Sequence, residues 1–430
     1  MSAPVHTLPP ELLSEIFILA VVSLREFGDG ESLHFVVRVL CGICRSCHVV
    51  ARGTPVLWAR IEIDSLNSAH DPLLDLQLQL SRTHPLTIYA PRETLYGDVA
   101  RWQVLEGIPD EVFPHVEELE LEWHSYFLAT MHTRDFSSLT TALVTILHEY
   151  RYDALDFLGK AHALRRLLLS FEYPCPPNDE HGQLPTDPTS FVPRMPDFPC
   201  LTLLSLDIPN DLPVHAIVPL LAKYAPSLRH IQMYSSETVV WPEKSPTTIH
   251  EMPALRSVAL HMYTHRLLAH ITAPALDFVL LYSDRHCEGD PTESLLDLVR
   301  RSKPPIRSFE LQDVMYRPYD ALVRCLEQMN GLQCLFLEDV IWEAGAVPRT
   351  MAVLERLVCD EDRRPILPEL RSLSVQFRAG PQTSLLPEIR ALLSSVRRSR
   401  KKACVCAGQA VVPLARFLTN ADDLLKDMAQ

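Results

Sequence analysis

A six-residue pattern, apolar-x-x-apolar-x-apolar, recurs through most of this 430-residue chain and constrains its fold more than any other feature. The copies are Val116/Leu119/Leu121, Leu164/Leu167/Leu169, Leu201/Leu204/Leu206, Leu228/Ile231/Met233, Leu255/Val258/Leu260, Leu276/Val279/Leu281, Ile306/Phe309/Leu311, Leu332/Leu335/Leu337 and Leu370/Leu373/Val375. In seven of these nine copies a proline stands two residues ahead: Pro114, Pro199, Pro226, Pro253, Pro274, Pro304 and Pro368. The last two apolar residues of each copy alternate, as side chains on one face of a strand do. Proline ends the preceding segment, because it cannot continue a helix and biases its neighbour toward extended backbone. Between the copies, Ser137–Ala163, Val214–Ala225, Thr292–Arg301, Tyr319–Met329 and Thr350–Val358 carry apolar residues at helical spacing. A degenerate unit is expected at Pro85–Tyr89, after a Leu-rich helix near Leu73–Leu80. Strands and helices alternating in one direction imply an α/β fold with a parallel sheet bent into an arc.

The copies start 21 to 48 residues apart, and the pattern resembles the strand portion of leucine-rich repeats. That resemblance implies an irregular leucine-rich-repeat solenoid over residues 64–380, each unit covering its neighbours' core. Residues beside the inward strand positions then face the opposite, concave side. One row reads Glu122, Ser170, Asp207, Tyr234, His261, Tyr282, Gln312, Glu338, Gln376. Its neighbour reads Glu120, Leu168, Ser205, Gln232, Ala259, Leu280, Glu310, Phe336, Ser374. Tyr234, His261, Phe278, Leu280, Tyr282 and Phe336 form an aromatic and apolar patch, the expected seat of a target protein. A one-residue slip of register would exchange the two faces. Glu117, Glu118, Glu120 and Glu122 read as a solvated acidic face, with selection of a basic partner as the alternative. The Pro-rich segment Glu172–Pro199 lacks a periodic apolar face and reads as a long exposed loop. Residues 381–430 read as a C-terminal cap: a helix near Leu385–Arg398, an apolar stretch Ala403–Val412 and a last helix near Leu414–Met428.

A net charge of −14 argues against generic nucleic-acid binding, and 47% apolar residues argue against global disorder. No run of about twenty apolar residues is present, so no membrane span is expected. The apolar run Leu12–Leu24 is broken by Glu15 and has no basic start, unlike a signal peptide. Eleven cysteines without framework spacing fit a reducing compartment, cytoplasmic or nuclear.

The N-terminal segment carries a second signature. Pro9 and Pro10 sit in the first turn of a helix, where proline loses no intrahelical bond, and Glu11 meets the positive end of its dipole. Leu12, Leu13, Ile16, Phe17 and Ala20 recur at helical spacing. A second apolar helix is expected from Leu33 to Ala51, closed by Thr54-Pro55-Val56-Leu57-Trp58. This joint pattern resembles the F-box, and the chain as a whole resembles fungal F-box proteins with irregular leucine-rich repeats. The resemblance implies a helical module over residues 1–63. Its Leu8, Pro9, Leu12, Leu13, Ile16 and Phe17 would bury against a Skp-type adaptor held by a cullin, while Trp58 packs inside. It also implies a substrate-recognition subunit of an SCF-type ubiquitin ligase, with the repeats holding a target protein. The alternative is a protein-interaction scaffold without ligase role. Cys47 stands where that family often has Trp, and the loop Ser23–Ser32 is long.

Other motifs are read as structural. Cys41-x2-Cys44-x2-Cys47 falls within the expected second helix, where three thiols cannot easily wrap one ion. Cys404-x-Cys406 is short and isolated. Arg397-Arg398-Ser399-Arg400-Lys401-Lys402 reads as a solvated helix end, a nuclear-import signal being the alternative. The chain has no Gly-rich phosphate loop, no Gly-x-Ser-x-Gly elbow and no His-Glu-x-x-His pair. No catalytic constellation, metal site or cofactor is expected, and the chain is read as a non-enzyme.

Overall fold

The computed structural model describes residues 8–27, 33–63, 72–81, 84–90, 98–147, 153–172, 194–208, 214–235, 248–282, 289–312, 320–341, 349–360, 362–379 and 386–420. The fold is α/β, with a parallel sheet of thirteen strands whose order follows the chain. The described residues fall into two compact units that meet in sequence between Leu201 and Thr202.

The first unit opens with the helices Pro10–Phe27, Leu33–Ile43 and Arg45–Gly53 and a 3-10 turn Pro55–Trp58. Its five strands are Arg60–Glu62, Leu86–Ala90, Val116–His124, Thr141–Leu147 and Arg166–Glu172. The second unit supplies eight: Leu203–Ile208, His230–Ser235, Ser257–His261, Phe278–Tyr282, Ser308–Gln312, Cys334–Ile341, Ser372–Ala379 and Arg416–Thr419. Helices Val214–Tyr224, Pro291–Ser302, Asp320–Gln328, Arg349–Leu357 and Leu386–Ser399 lie between them in sequence.

All three apolar positions of all nine copies are buried, none more than 4% exposed. Pro226 and Pro304 each stand two residues past a helix, Val214–Tyr224 and Pro291–Ser302, as helix termination requires, but the other five prolines have a different role. Phe113-Pro114-His115-Val116, Phe198-Pro199-Cys200-Leu201, Met252-Pro253-Ala254-Leu255, Ala273-Pro274-Ala275-Leu276 and Leu367-Pro368-Glu369-Leu370 are turns. In each, the N–H of the fourth residue donates to the carbonyl of the first. Proline occupies the second turn position, where its fixed φ is already correct. Phe136–Leu139, Ala161–Leu164 and Met329–Leu332 close the same bond without proline. The first residue of every such turn (Phe113, Phe136, Ala161, Phe198, Met252, Ala273, Met329 and Leu367) is itself buried. The repeat is therefore longer than the six residues legible by alternation.

The turns also align the strands. At several units, two successive N–H groups at the start of the strand donate to one carbonyl of the preceding unit: Arg256 and Ser257 to Arg229, Asp277 and Phe278 to Arg256, Arg307 and Ser308 to Asp277. In the second unit this fixes one register along the strands from Leu203 to Tyr282 and beyond, with Leu204 opposite Ile231, Ile231 opposite Val258 and Val258 opposite Val279.

Four expectations are corrected. The segment read as a helix over Ser137–Ala163 holds the strand Thr141–Leu147 and a 3-10 turn Asp156–Lys160. Leu139, Ala142, Leu143, Ile146 and Leu147 match helical spacing, yet alternating burial of Ala142, Val144 and Ile146 between two neighbouring strands decides the geometry. The expected helix Leu33–Ala51 breaks at Cys44, an extended N-cap whose thiol accepts from the Cys47 N–H at 3.4 Å. The expected last helix is, over its described part, the strand Arg416–Thr419 pairing with Ser372–Ala379. Open backbone groups on that edge override local helix propensity; residues 421–430 lie outside the described set. Most of the expected Pro-rich loop also lies outside it, but Met195 and Phe198 are buried, so its end packs into a core.

Candidate functional site

The N-terminal helices form their own core from Leu13, Phe17, Val21, Val37, Cys47, Ala51, Leu57 and Trp58. Two polar links tie it together. The buried Trp58 indole donates to the Ala51 carbonyl at 2.8 Å, and the Ser14 and Thr54 hydroxyls meet at 2.9 Å. Pro9 contributes the first helical carbonyl, accepting from Leu13 N–H at 3.1 Å, which puts Pro10 at the first helical position.

This core divides the six residues expected to meet an adaptor. Leu13 and Phe17, each 3% exposed, point inward, so their assignment to an outside partner is corrected: with Val21 they lie on the helix stripe that the module's own core consumes. Leu8, Pro9, Leu12 and Ile16 stay at the surface, Leu12 and Ile16 both 48% exposed. Leu19 extends this second stripe, and Val39, Ile43 and Val49 are further exposed apolar residues of the same three helices. Helical periodicity alone could not separate the stripes, because the sequence places apolar residues on both.

In the second unit, register puts Leu280 opposite Ala259 on one side and Glu310 on the other, Phe336 opposite Glu310, and Tyr282 opposite His261 and Gln312. Tyr234 stacks on His261 with ring centroids 4.0 Å apart, and His261 meets Tyr282 at 5.4 Å. The Gln232 amide donates to the Tyr234 hydroxyl. Burial lowers the His261 pKa to about 4, so this imidazole is neutral at physiological pH. Phe278, Leu280 and Phe336 are half-buried on the same side of the strands. The six candidate residues thus lie on one face of the strands from His230–Ser235 to Cys334–Ile341, with Ser308–Gln312 carrying none of them and Tyr282 beside the stacked rings of Tyr234 and His261.

The acidic group lies on the first unit. Glu118, Glu120 and Glu122 alternate along Val116–His124, and Glu117 is exposed just ahead of them. Burial, Glu122 and Glu118 together push the Glu120 carboxyl above its usual range, against an opposing pull from Arg60. The Arg60 guanidinium lies 4.2 Å from the Tyr89 ring and 3.2 Å from the Glu62 carboxylate.

The basic run is not uniformly solvated, as the sequence suggested. Arg397, Arg398, Lys401 and Lys402 are exposed, but Arg400 is fully buried. Its guanidinium donates to the carbonyls of Leu357 at 2.8 Å, Leu367 at 2.9 Å and Ile366 at 2.6 Å. Beside it lie Cys359, Cys404 and Cys406, whose sulfurs are all within 4.8 Å of one another. The Cys-x-Cys pair was visible in the sequence; its third member, far upstream, becomes a neighbour only through the fold.

No protein-family model matches this chain, and no curated protein is significantly similar to it. No described helix is long and apolar enough to cross a membrane.

Proposed function

We propose that this chain is a substrate-recognition subunit of an SCF-type ubiquitin ligase. It is a non-enzymatic cytoplasmic or nuclear receptor whose N-terminal F-box-like module docks a Skp-type adaptor on a cullin. Its repeats, of leucine-rich-repeat type, hold a target protein on the face that carries Tyr234, His261, Phe278, Leu280, Tyr282 and Phe336. The observation that carries this reading is the exposed apolar stripe Leu8, Leu12, Ile16 and Leu19 on a module whose own core is complete without it. A contiguous apolar surface of this kind favours a protein partner. The chain contributes proximity: the adaptor end is anchored, the target is held, and other subunits transfer ubiquitin to a target lysine.

Co-expression with a Skp-type adaptor tests the reading. The parent chain is expected to co-purify with the adaptor in a stable complex. Leu12→Glu with Ile16→Glu is expected to abolish the complex while changing the melting temperature of the free chain little, because both side chains lie outside the module's core and are about half exposed. Retention of the adaptor by that double variant would remove this stripe from the interface. Failure of the parent to bind any adaptor would leave a scaffold without ligase role.

A further inference from the structure

We propose that Cys359, Cys404 and Cys406 bind a zinc ion that clips together the C-terminal end of the second unit, with Arg400 as its buried counter-charge. Cys404 and Cys406 lie on one strand of an antiparallel hairpin, Cys404–Cys406 with Gln409–Val411. Ala407 and Gly408 close it with φ of 47° and 78°, the paired positive values of a tight hairpin turn. Residues two apart on a strand share a face, so both thiols point the same way. Cys359 follows the helix Arg349–Leu357 and is fixed by its N–H, which donates to the Ser399 hydroxyl at 3.2 Å. Two stretches of chain far apart in sequence, one at Cys359 and one from Ser399 to Cys406, therefore converge on one sulfur-lined point.

The spacing suits a metal. With zinc–sulfur bonds of about 2.3 Å, tetrahedral geometry separates two ligating sulfurs by about 3.8 Å. Cys404 and Cys406 Sγ are 3.8 Å apart, and every pair in the cluster is within 4.8 Å. A disulfide fits less well: residues two apart on an extended strand have Cα atoms about 6.6 Å apart, near the outer limit for a bridge.

The electrostatics point the same way. A buried guanidinium normally faces a carboxylate, because an uncompensated charge in a dry interior is costly. Arg400 instead donates to three neutral carbonyls, with the three sulfurs beside it. As neutral thiols the cysteines give it no counter-charge. Zinc binding supplies one. Three thiols release three protons to solvent, three thiolates ligate Zn²⁺, and the resulting single negative charge is matched by Arg400. Water completes the fourth position. The site joins the hairpin, the end of helix Leu386–Ser399 and the segment after Arg349–Leu357, so its role is structural.

The test uses the full chain, purified under reducing conditions, stripped of metal and then titrated with Co²⁺ as a spectroscopic substitute for zinc. The parent is expected to develop a thiolate-to-cobalt charge-transfer band that saturates at about one ion per chain and is displaced by Zn²⁺. Cys404→Ala and Cys406→Ala are expected to lose the band, whereas Cys200→Ala with Cys334→Ala, two exposed cysteines, keeps it. Alkylation mapped by mass spectrometry reads the same site without any substitution: zinc is expected to protect Cys359 and Cys404 and to leave Cys200 and Cys334 labelled as before. Absence of a band in the parent, its persistence in either single variant, labelling insensitive to zinc, or a native Cys404–Cys406 disulfide would each overturn the proposal.

Discussion

His261 packs against the rings of Tyr234 and Tyr282, and its protonation is where single-residue chemistry most affects the candidate target face. Burial holds its folded pKa near 4, below the unfolded value of 6.5. The unfolded chain therefore takes up the proton first as pH falls. The contribution of the neutral ring is complete above pH 6.5 and is lost progressively as pH drops toward 4. His261→Gln is expected to flatten this part of the stability–pH profile, read as denaturation midpoints between pH 7 and 4; an unchanged slope would mean that other groups set it. Glu120 has the opposite sign. Its folded pKa is raised, so its carboxylate is a net cost at neutral pH that is relieved by protonation in acid. Glu120→Gln is expected to raise the melting temperature at pH 7, with the gain vanishing at low pH. At this scale the sequence was informative about which face a residue occupies, because once Val258 and Leu260 are taken as inward, period two places Ala259 and His261 outward. The row through adjacent repeats also made Tyr234, His261 and Tyr282 neighbours, though not the stacked geometry of the first two. The sequence carried no sign of the Cys359 cluster or of the burial of Arg400, since each depends on segments that only the fold brings together.

Elements were legible where their period was unambiguous. Helices Pro291–Ser302, Asp320–Gln328 and Arg349–Leu357 fall within a residue or two of their expected bounds. Thr141–Leu147 was misread because one apolar run satisfies both periods, and only the strands on either side choose between them. Helix Pro10–Phe27 was found, but which of its two apolar stripes turns inward depends on the helices beneath it. That division gives a prediction. Phe17→Ala should cost about 3–5 kcal/mol of stability, as a core aromatic truncation does, whereas Leu12→Ala should leave the unfolding midpoint nearly unchanged. Equal effects in thermal melts would place both side chains in one environment. The last strand has a different device. The Asn420 side chain accepts from Phe377 N–H at 2.8 Å and donates to Phe377 carbonyl at 2.9 Å, so an amide side chain supplies the next rung of the ladder. Asn420→Ala leaves both groups without this partner and is expected to lower stability by about 1–3 kcal/mol. Asn420→Asp, able only to accept, should fall between the two in the same melts.

For the molecule as a whole, the governing fact is that strand order follows the chain. Within each unit, each main-sheet strand is paired by the next, and the strand Arg416–Thr419 covers what would otherwise be an open edge at Ser372–Ala379. Ending the chain after Lys402 removes this strand and the cysteine hairpin together. The shortened protein is expected to self-associate with rising concentration in light scattering, where the full chain stays dispersed; equal behaviour would show that this edge is protected in another way. The same order has a meaning during biosynthesis. Within each unit, every main-sheet strand joins a neighbour that left the ribosome before it, so assembly can proceed co-translationally, without waiting for the C-terminus. A growing sticky rim travels with the nascent polypeptide, passed from each strand to the next until Arg416–Thr419 pairs with Ser372–Ala379.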